Sequence, residues 1–218
     1  MPINNFSDQT FVAFLDISGF KVLMKKDIDA LKALSHLYQS GYDVLREQIG
    51  VEGFFVSDSG VLFVRGGSPS DQLRKILLAI KSINNKMLSF DYMLTTSIAY
   101  GTFDYHGKLE FDGIEKNPIY GFAYVQAFLD NEKGQPKIQP GQCRIIKQNL
   151  PQTIDLFHSN FSLLRERRND NKHLYFYWNV DDETQIETFE HAYTDSYNLK
   201  YSGMLKALKR NINQEQIL

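Results

Sequence analysis

An α+β domain, built on an antiparallel sheet with helices packed on it, is the fold class this sequence predicts, and three observations predict it. The run Phe11-Val12-Ala13-Phe14-Leu15 is apolar without a break and stops at a lone carboxylate, Asp16. Such a run reads as a strand buried on both faces. Residues 53–64 hold two apolar runs around Ser57-Asp58-Ser59-Gly60, the pattern of a β-hairpin. Elsewhere apolar residues recur at three- and four-residue steps, the period of amphipathic helices. With 218 residues, 43% apolar and 13% aromatic, the chain can bury one substantial core.

The elements follow in order. Residues 1–9 are polar and lead into the first strand. Residues 18–26 begin a short helix, whose free backbone N–H groups can seat phosphate oxygens. Ile28, Leu31, Leu34, Tyr38, Tyr42, Leu45 and Ile49 predict a long helix that turns these residues to the core and ends before Gly50. After the hairpin, residues 66–70 form a turn, with Ser70 the expected cap of a helix over 71–88. A strand over 92–101 completes a β-α-β-β-α-β order, the ferredoxin-like arrangement with helices on one face.

Residues 102–118 carry Asp104, His106, Glu110, Asp112 and Glu115 at irregular spacing, which predicts a solvated hairpin or loop more than a metal site. A short helix over 122–131 follows, then a Gly- and Pro-containing loop over 130–142, long enough to reach a neighbouring subunit. Residues 143–146 and 174–178 read as strands. The basic segment between them, with Arg165, Arg167, Arg168 and Lys172, is a solvated turn or a phosphate-binding patch. The tail predicts a helix over 202–211, and its cations make a solvent face. Residues 1–180 thus hold the main unit, and 181–218 a helical extension of it.

Charge and composition narrow the function. A net charge of -2 gives no general attraction to nucleic acid, so a polyphosphate ligand must be held by local cations and metal. The one cysteine, Cys143, excludes an intrachain disulfide and reads as a small core residue. No apolar run of about 18 residues and no leader pattern occurs. A cytoplasmic chain with neither nucleic-acid nor membrane partner is the expectation. Asp16 and Asp58 each end a strand. Either each caps its own turn, or the strands are neighbours and the two carboxylates share a divalent cation that relieves their repulsion.

The two segments together resemble the metal-binding elements of the class III nucleotidyl cyclases. In that family a strand ending in Asp-Ile-x-Gly-Phe precedes a helix and a hairpin with a second aspartate; here those are Asp16-Ile17-Ser18-Gly19-Phe20 and Ser57-Asp58-Ser59-Gly60. Thr96-Ser97-Ile98-Ala99-Tyr100-Gly101 resembles the family's strand ending in Gly, and residues 119–127 resemble its dimerisation-arm helix. The resemblance spans roughly residues 11–178. It implies a ferredoxin-like class III catalytic domain, homodimeric, with active sites at the subunit interface. It further implies two Mg²⁺ or Mn²⁺ ions held by Asp16, Asp58 and the Ile17 carbonyl, with both aspartates catalytic. Ser18, Gly19 and Phe20 would lie at the triphosphate, and Lys172 or Arg168 would supply the phosphate-contacting cation.

Departures from the family set the substrate expectation. Adenylate cyclases carry an adenine-reading lysine four residues before the second aspartate, where this chain has Phe54, and a partner aspartate where it has Pro118. An aromatic wall removes the donor and takes up room, favouring a smaller ring. The chain therefore looks like the bacterial pyrimidine nucleotide cyclases of Pycsar anti-phage systems, which make cyclic UMP or CMP for an effector with a cyclic-nucleotide-binding domain. UTP is favoured over CTP as substrate. The family's transition-state asparagine and arginine fall on Val125 and Leu129, and Gln126, Asn131, Tyr124 or Arg65 are the candidate substitutes.

Overall fold

The computed structural model describes residues 3–107, 109–111, 114–116, 118–196 and 200–212. The chain runs through β1 (Phe6–Ile17), α1 (Phe20–Leu23), α2 (Asp27–Glu47), β2 (Val51–Val56), β3 (Ser59–Val64), α3 (Pro69–Ser89) and β4 (Leu94–Tyr105). Then come β5 (Leu109–Phe111), β6 (Ile114–Lys116), β7 (Ile119–Tyr120), α4 (Phe122–Lys133), β8 (Cys143–Ile146), β9 (Leu164–Arg167), β10 (Asp170–Phe176), α5 (Ile186–Asp195) and α6 (Lys200–Ile212).

One eight-stranded sheet dominates, in the order β2-β3-β1-β4-β8-β10-β9, with β7 on the far end of β4. β1 and β4 lie at its centre and pair antiparallel along their whole length, which is why β1 is apolar on both sides. Phe11, Ala13, Leu15 and Ile17 enter one core beneath α2, α3, α5 and α6. Val12 and Phe14 enter a second core on the opposite face, with Ala123 and Ala127 of α4.

The sheet is mixed, because β8 joins β4 in parallel, and helices cover both faces where the sequence predicts one. The crossover through α4 accounts for both differences, since a parallel neighbour needs a connection across the sheet face. Residues 109–111 and 114–116 form the expected hairpin; Asp112 lies outside the described residues. Arg165 and Arg167 stand in a strand, not a turn, and are neutralised: Arg165 pairs with Glu183, and Arg167 pairs with Glu190 and stacks 3.9 Å over Tyr175. The loop over 134–142 is fastened to its own chain instead of reaching outward. Trp178 Nε1 donates to the Gly141 carbonyl at 2.8 Å and Tyr193 Oη to that of Pro140 at 2.6 Å.

Two helix readings change. Ser68, not Ser70, caps α3, its Oγ accepting from the Asp71 N–H at 3.3 Å. Pro69 is suited to the first helical position, where no N–H is needed, so the helix starts earlier. In α2 the buried residues are Ala33, Leu37, Ser40, Gly41 and Val44, whereas Ile28, Leu31, Tyr38 and Tyr42 are exposed. The close-packed face is the one with small residues. A Cβ on Gly41 would come within 2.1 Å of the Phe55 ring, so only glycine lets the helix lie this near β2.

Candidate active site

The site is built where β1 ends. Asp16 is flanked by Ser59 of β3 on one side and Thr95 of β4 on the other. Asp58 is the second residue of the two-residue turn joining β2 to β3. The Ile17 N–H donates to the Asp58 carbonyl at 3.0 Å, which fastens that turn to the end of β1. Ser57, the first turn residue, adopts φ 55°, a left-handed conformation that side-chain-bearing residues seldom hold unaided. The Tyr38 hydroxyl donates to its carbonyl at 3.0 Å.

The two carboxylates therefore occupy one strand end, and their electrostatics register it. Burial, followed by the charge of Asp58, pushes the Asp16 carboxyl up to about 6, against a hydrogen bond from Ser59 Oγ at 3.0 Å that favours ionisation. Glu132 of α4 adds to the rise and Lys21 opposes it. Neither Asp16 nor Asp58 forms an ion pair among the described residues. A half-buried acid short of cations fits a divalent ion. Among the described residues no cluster of three or more His, Cys, Asp or Glu side chains gathers, so backbone, water and phosphate oxygens would complete the coordination.

Around the pair, Ser18 is buried and its Oγ has no hydrogen-bond partner among the described residues. Gly19 turns the chain at φ 78°. Phe20 is 5% exposed in the first core, leaving only its backbone to a ligand. Tyr201 of α6 stands close to Gly19, and its Oη accepts from the Met93 N–H at 3.2 Å. Met93 in turn accepts from the Ser18 N–H at 2.9 Å. Helix α6 thus braces the turn after Asp16, a part that no local sequence pattern records. Phe54 lies on the second face, packed with Tyr105 at a ring separation of 5.8 Å. Strand alternation puts Asp16 on that same face. Lys172 is not brought to the pair. It is exposed at the end of β10, where its carbonyl accepts from the Lys147 N–H, whereas the other end of β8 is level with Thr96.

Comparison with known proteins agrees on the fold. The chain is similar to the guanylyl cyclase Cya2, at 15% identity and TM-score 0.52 over 79% of this chain and 92% of that one. It is similar to a monomeric double mutant of the guanylyl cyclase domain of the RhoGC fusion protein from the aquatic fungus Blastocladiella emersonii, at 13% identity and TM-score 0.57, covering 80% and 97%. The adenylyl cyclase CyaB from P. aeruginosa is similar at 13% identity and TM-score 0.50, covering 79% and 94%. This chain has the class III cyclase fold. No protein-family model matches the sequence, and no curated protein matches it either.

Helix α4 carries the residues that stand in place of the expected asparagine and arginine. Val125 and Leu129 are 44% and 42% exposed and line one side of the helix with Phe128. Asn131 is buried, bonding Thr95 Oγ1 and the Phe14 carbonyl, and Arg65 is engaged with Glu52 and over Phe6. Of the candidate substitutes, Gln126 and Tyr124 are left facing outward in part. A second network was not foreseen. Arg144, wholly buried, pairs with Asp130 at 2.8 Å. His173 contacts Asp130 at 2.9 Å through Nε2 and Asp170 at 2.8 Å through Nδ1. Burial works to raise both aspartates, but the His173 contacts, joined by Arg144 at Asp130 and by Tyr175 at Asp170, outweigh it and hold both carboxyls below the usual range. The network ties the end of α4 to β8 and β10.

Proposed function

We propose that the chain is a metal-dependent nucleotide cyclase acting on UTP, and less readily on CTP, to give the 3′,5′-cyclic monophosphate and pyrophosphate. The observation that carries this reading is the Asp16 and Asp58 pair, held on one strand end with the Asp16 carboxyl raised by burial and by its neighbour's charge. Asp16, Asp58 and the Ile17 carbonyl would hold two Mg²⁺ or Mn²⁺ ions. When bound, such ions lower the pKa of the ribose hydroxyl and neutralise charge on the leaving pyrophosphate.

The chain's own part is to place the nucleotide. Asp16 and Asp58 would hold the cations to which the triphosphate binds, and the backbone of Gly19 and Phe20 with Ser18 Oγ would lie beside it. The ribose 3′-oxygen then attacks the α-phosphorus in line, the bond to the bridging oxygen breaks, pyrophosphate departs and the hydroxyl proton passes to water. Phe54 supports a pyrimidine over a purine because it lies on the Asp16 face and offers no hydrogen bond. The placement of Lys172 supports a homodimer, in which a second copy supplies that cation to the phosphates. We place the product in bacterial anti-phage defence, read by a separate cyclic-nucleotide-binding effector.

A second reading, a cyclase-fold protein that binds nucleotide without turning it over, is favoured by the apolar Val125 and Leu129. One experiment separates them: purified chain with each of the four nucleoside triphosphates and Mn²⁺, the product identified by mass. Cyclic UMP as the main product, lost by a factor of about 100 or more in Asp16→Ala and Asp58→Ala, supports the cyclase. A purine product would make it a cyclase of divergent base recognition. Nucleotide binding without product would leave the second reading.

A further inference from the structure

The outer side of α2 carries an apolar seam that the fold covers only in part, Leu45 resting on the first core and Tyr38 against Phe55. Ile28, Leu31, Ser35, Tyr38, Tyr42 and Leu45 follow one another at alternating three- and four-residue steps, the spacing of a helix that packs along another helix. The opposite side of α2, through Ala33, Leu37, Gly41 and Val44, is already spent on the core. Ile28 is 69% exposed, Leu31 66%, Tyr38 41% and Tyr42 56%, and Ile49, just past the helix, 92%. A groove of about 640 Å³ continues this surface onto the edge strand β2, lined by Tyr42, Leu45, Ile49, Val51 and Phe55.

We infer that this seam pairs with the same seam of a second copy, antiparallel, through an interface separate from the cyclase-type dimer. Three features point to self-pairing. In an antiparallel register that sets Ser35 against Tyr38 of the second copy, Leu31 meets Tyr42 and the exposed Ile28 meets the half-buried Leu45, so no tyrosine is set against a tyrosine. The five exposed side chains offer on the order of 600 Å² per chain, so a pair buries about 1,200 Å², above the roughly 1,000 Å² that a specific interface needs. The same register puts Lys32 on the same rim as Asp43 of the second copy, at both ends of the two-fold, where it would join the Lys86 that Asp43 meets at 3.4 Å within its own chain.

The pairing bears on the candidate site. Tyr38, beside the two-fold, donates its hydroxyl to Ser57, the residue before Asp58. Two isologous interfaces on one chain build assemblies larger than a dimer.

Sedimentation velocity on the full chain, at concentrations up to about 100 µM, tests this. Wild type should exceed a dimer, and Leu31→Glu and Tyr42→Glu should each halve the largest mass. Because those residues are exposed, the variants should keep the far-UV spectrum of wild type. If Leu31→Glu leaves the mass unchanged, the seam serves another occupant or none, and the inference is overturned. A Leu31→Cys, Tyr42→Cys double variant gives a second measurement, since oxidation should link two copies through the introduced thiols while native Cys143 stays buried. Absence of that link also overturns it. The mass above a dimer rests on the cyclase-type dimer of the proposed function, whereas the thiol link and the loss of mass in Leu31→Glu do not, so failure of that proposal would leave those two outcomes readable.

Discussion

Asp16 makes a prediction of its own, because its carboxyl is raised where those of Asp71, Asp130 and Asp170 are lowered. The folded chain holds the Asp16 proton up to about 6, against an ordinary value near 3.8 in the unfolded chain. Folding therefore gains from this proton below about pH 4, and the gain is lost as pH rises through 6. In metal-free protein, Asp16→Asn should be more stable than wild type above pH 6, by on the order of 2 kcal/mol, and the difference should vanish near pH 4. Thermal melts of both proteins across that range, with EDTA, check it. Phe54→Ala makes a second test: removing the ring should raise the purine-to-pyrimidine turnover ratio by about tenfold. Both aspartates were legible in the sequence, because an apolar run ending in a lone carboxylate and a short polar turn are local patterns. Tyr38 holding Ser57, Glu132 acting on Asp16 and Tyr201 beneath Gly19 were not. Each joins segments far apart in the chain, and no local period records them.

At the scale of elements, α4 is held by buried charge as much as by packing. Arg144 sits at 0% exposure between apolar strand neighbours, and removing it leaves Asp130 without its main cation. Arg144→Met should cost about 3 kcal/mol, read as a drop in melting temperature of roughly 10 °C, and should loosen α4 against β8. Hydrogen exchange on α4 residues would report that loosening. The hairpin, α3 and β4 were readable because their apolar period coincides with their buried face. α2 was readable as a helix but not in its buried face, for a physical reason: its core side uses Ala33, Ser40 and Gly41 to approach the sheet, and Ile28, Leu31, Tyr38 and Tyr42 face out. A period of bulky residues marks the side that could be buried, not the side that is.

For the whole molecule, the fold follows from a central strand pair that must be covered on both faces. Helices α2, α3, α5 and α6 cover one face, and α4, readable as a helix but not in its place on the sheet, covers part of the other. Mixed sheet order was not legible, since strand direction after residue 118 depends on which edge the chain returns to. If the site is shared between two copies, an inactive Asp16→Ala chain mixed with an inactive Lys172→Ala chain should regain activity, because half the dimers carry one intact site. Random exchange gives about a quarter of wild-type rate. A mixture no more active than its parts would put the whole site in one chain.

The account rests on Asp16 and Asp58 holding a divalent cation together with a nucleotide. Titration of Mn²⁺ into the chain with a non-cyclisable UTP analogue, followed by electron paramagnetic resonance of free Mn²⁺, measures that directly. Wild type should take up Mn²⁺ only weakly alone and tightly with the analogue, and Asp16→Ala and Asp58→Ala should each lose the tight uptake. Equal Mn²⁺ uptake by wild type and by a chain carrying both Asp16→Ala and Asp58→Ala would contradict a shared cation at this pair.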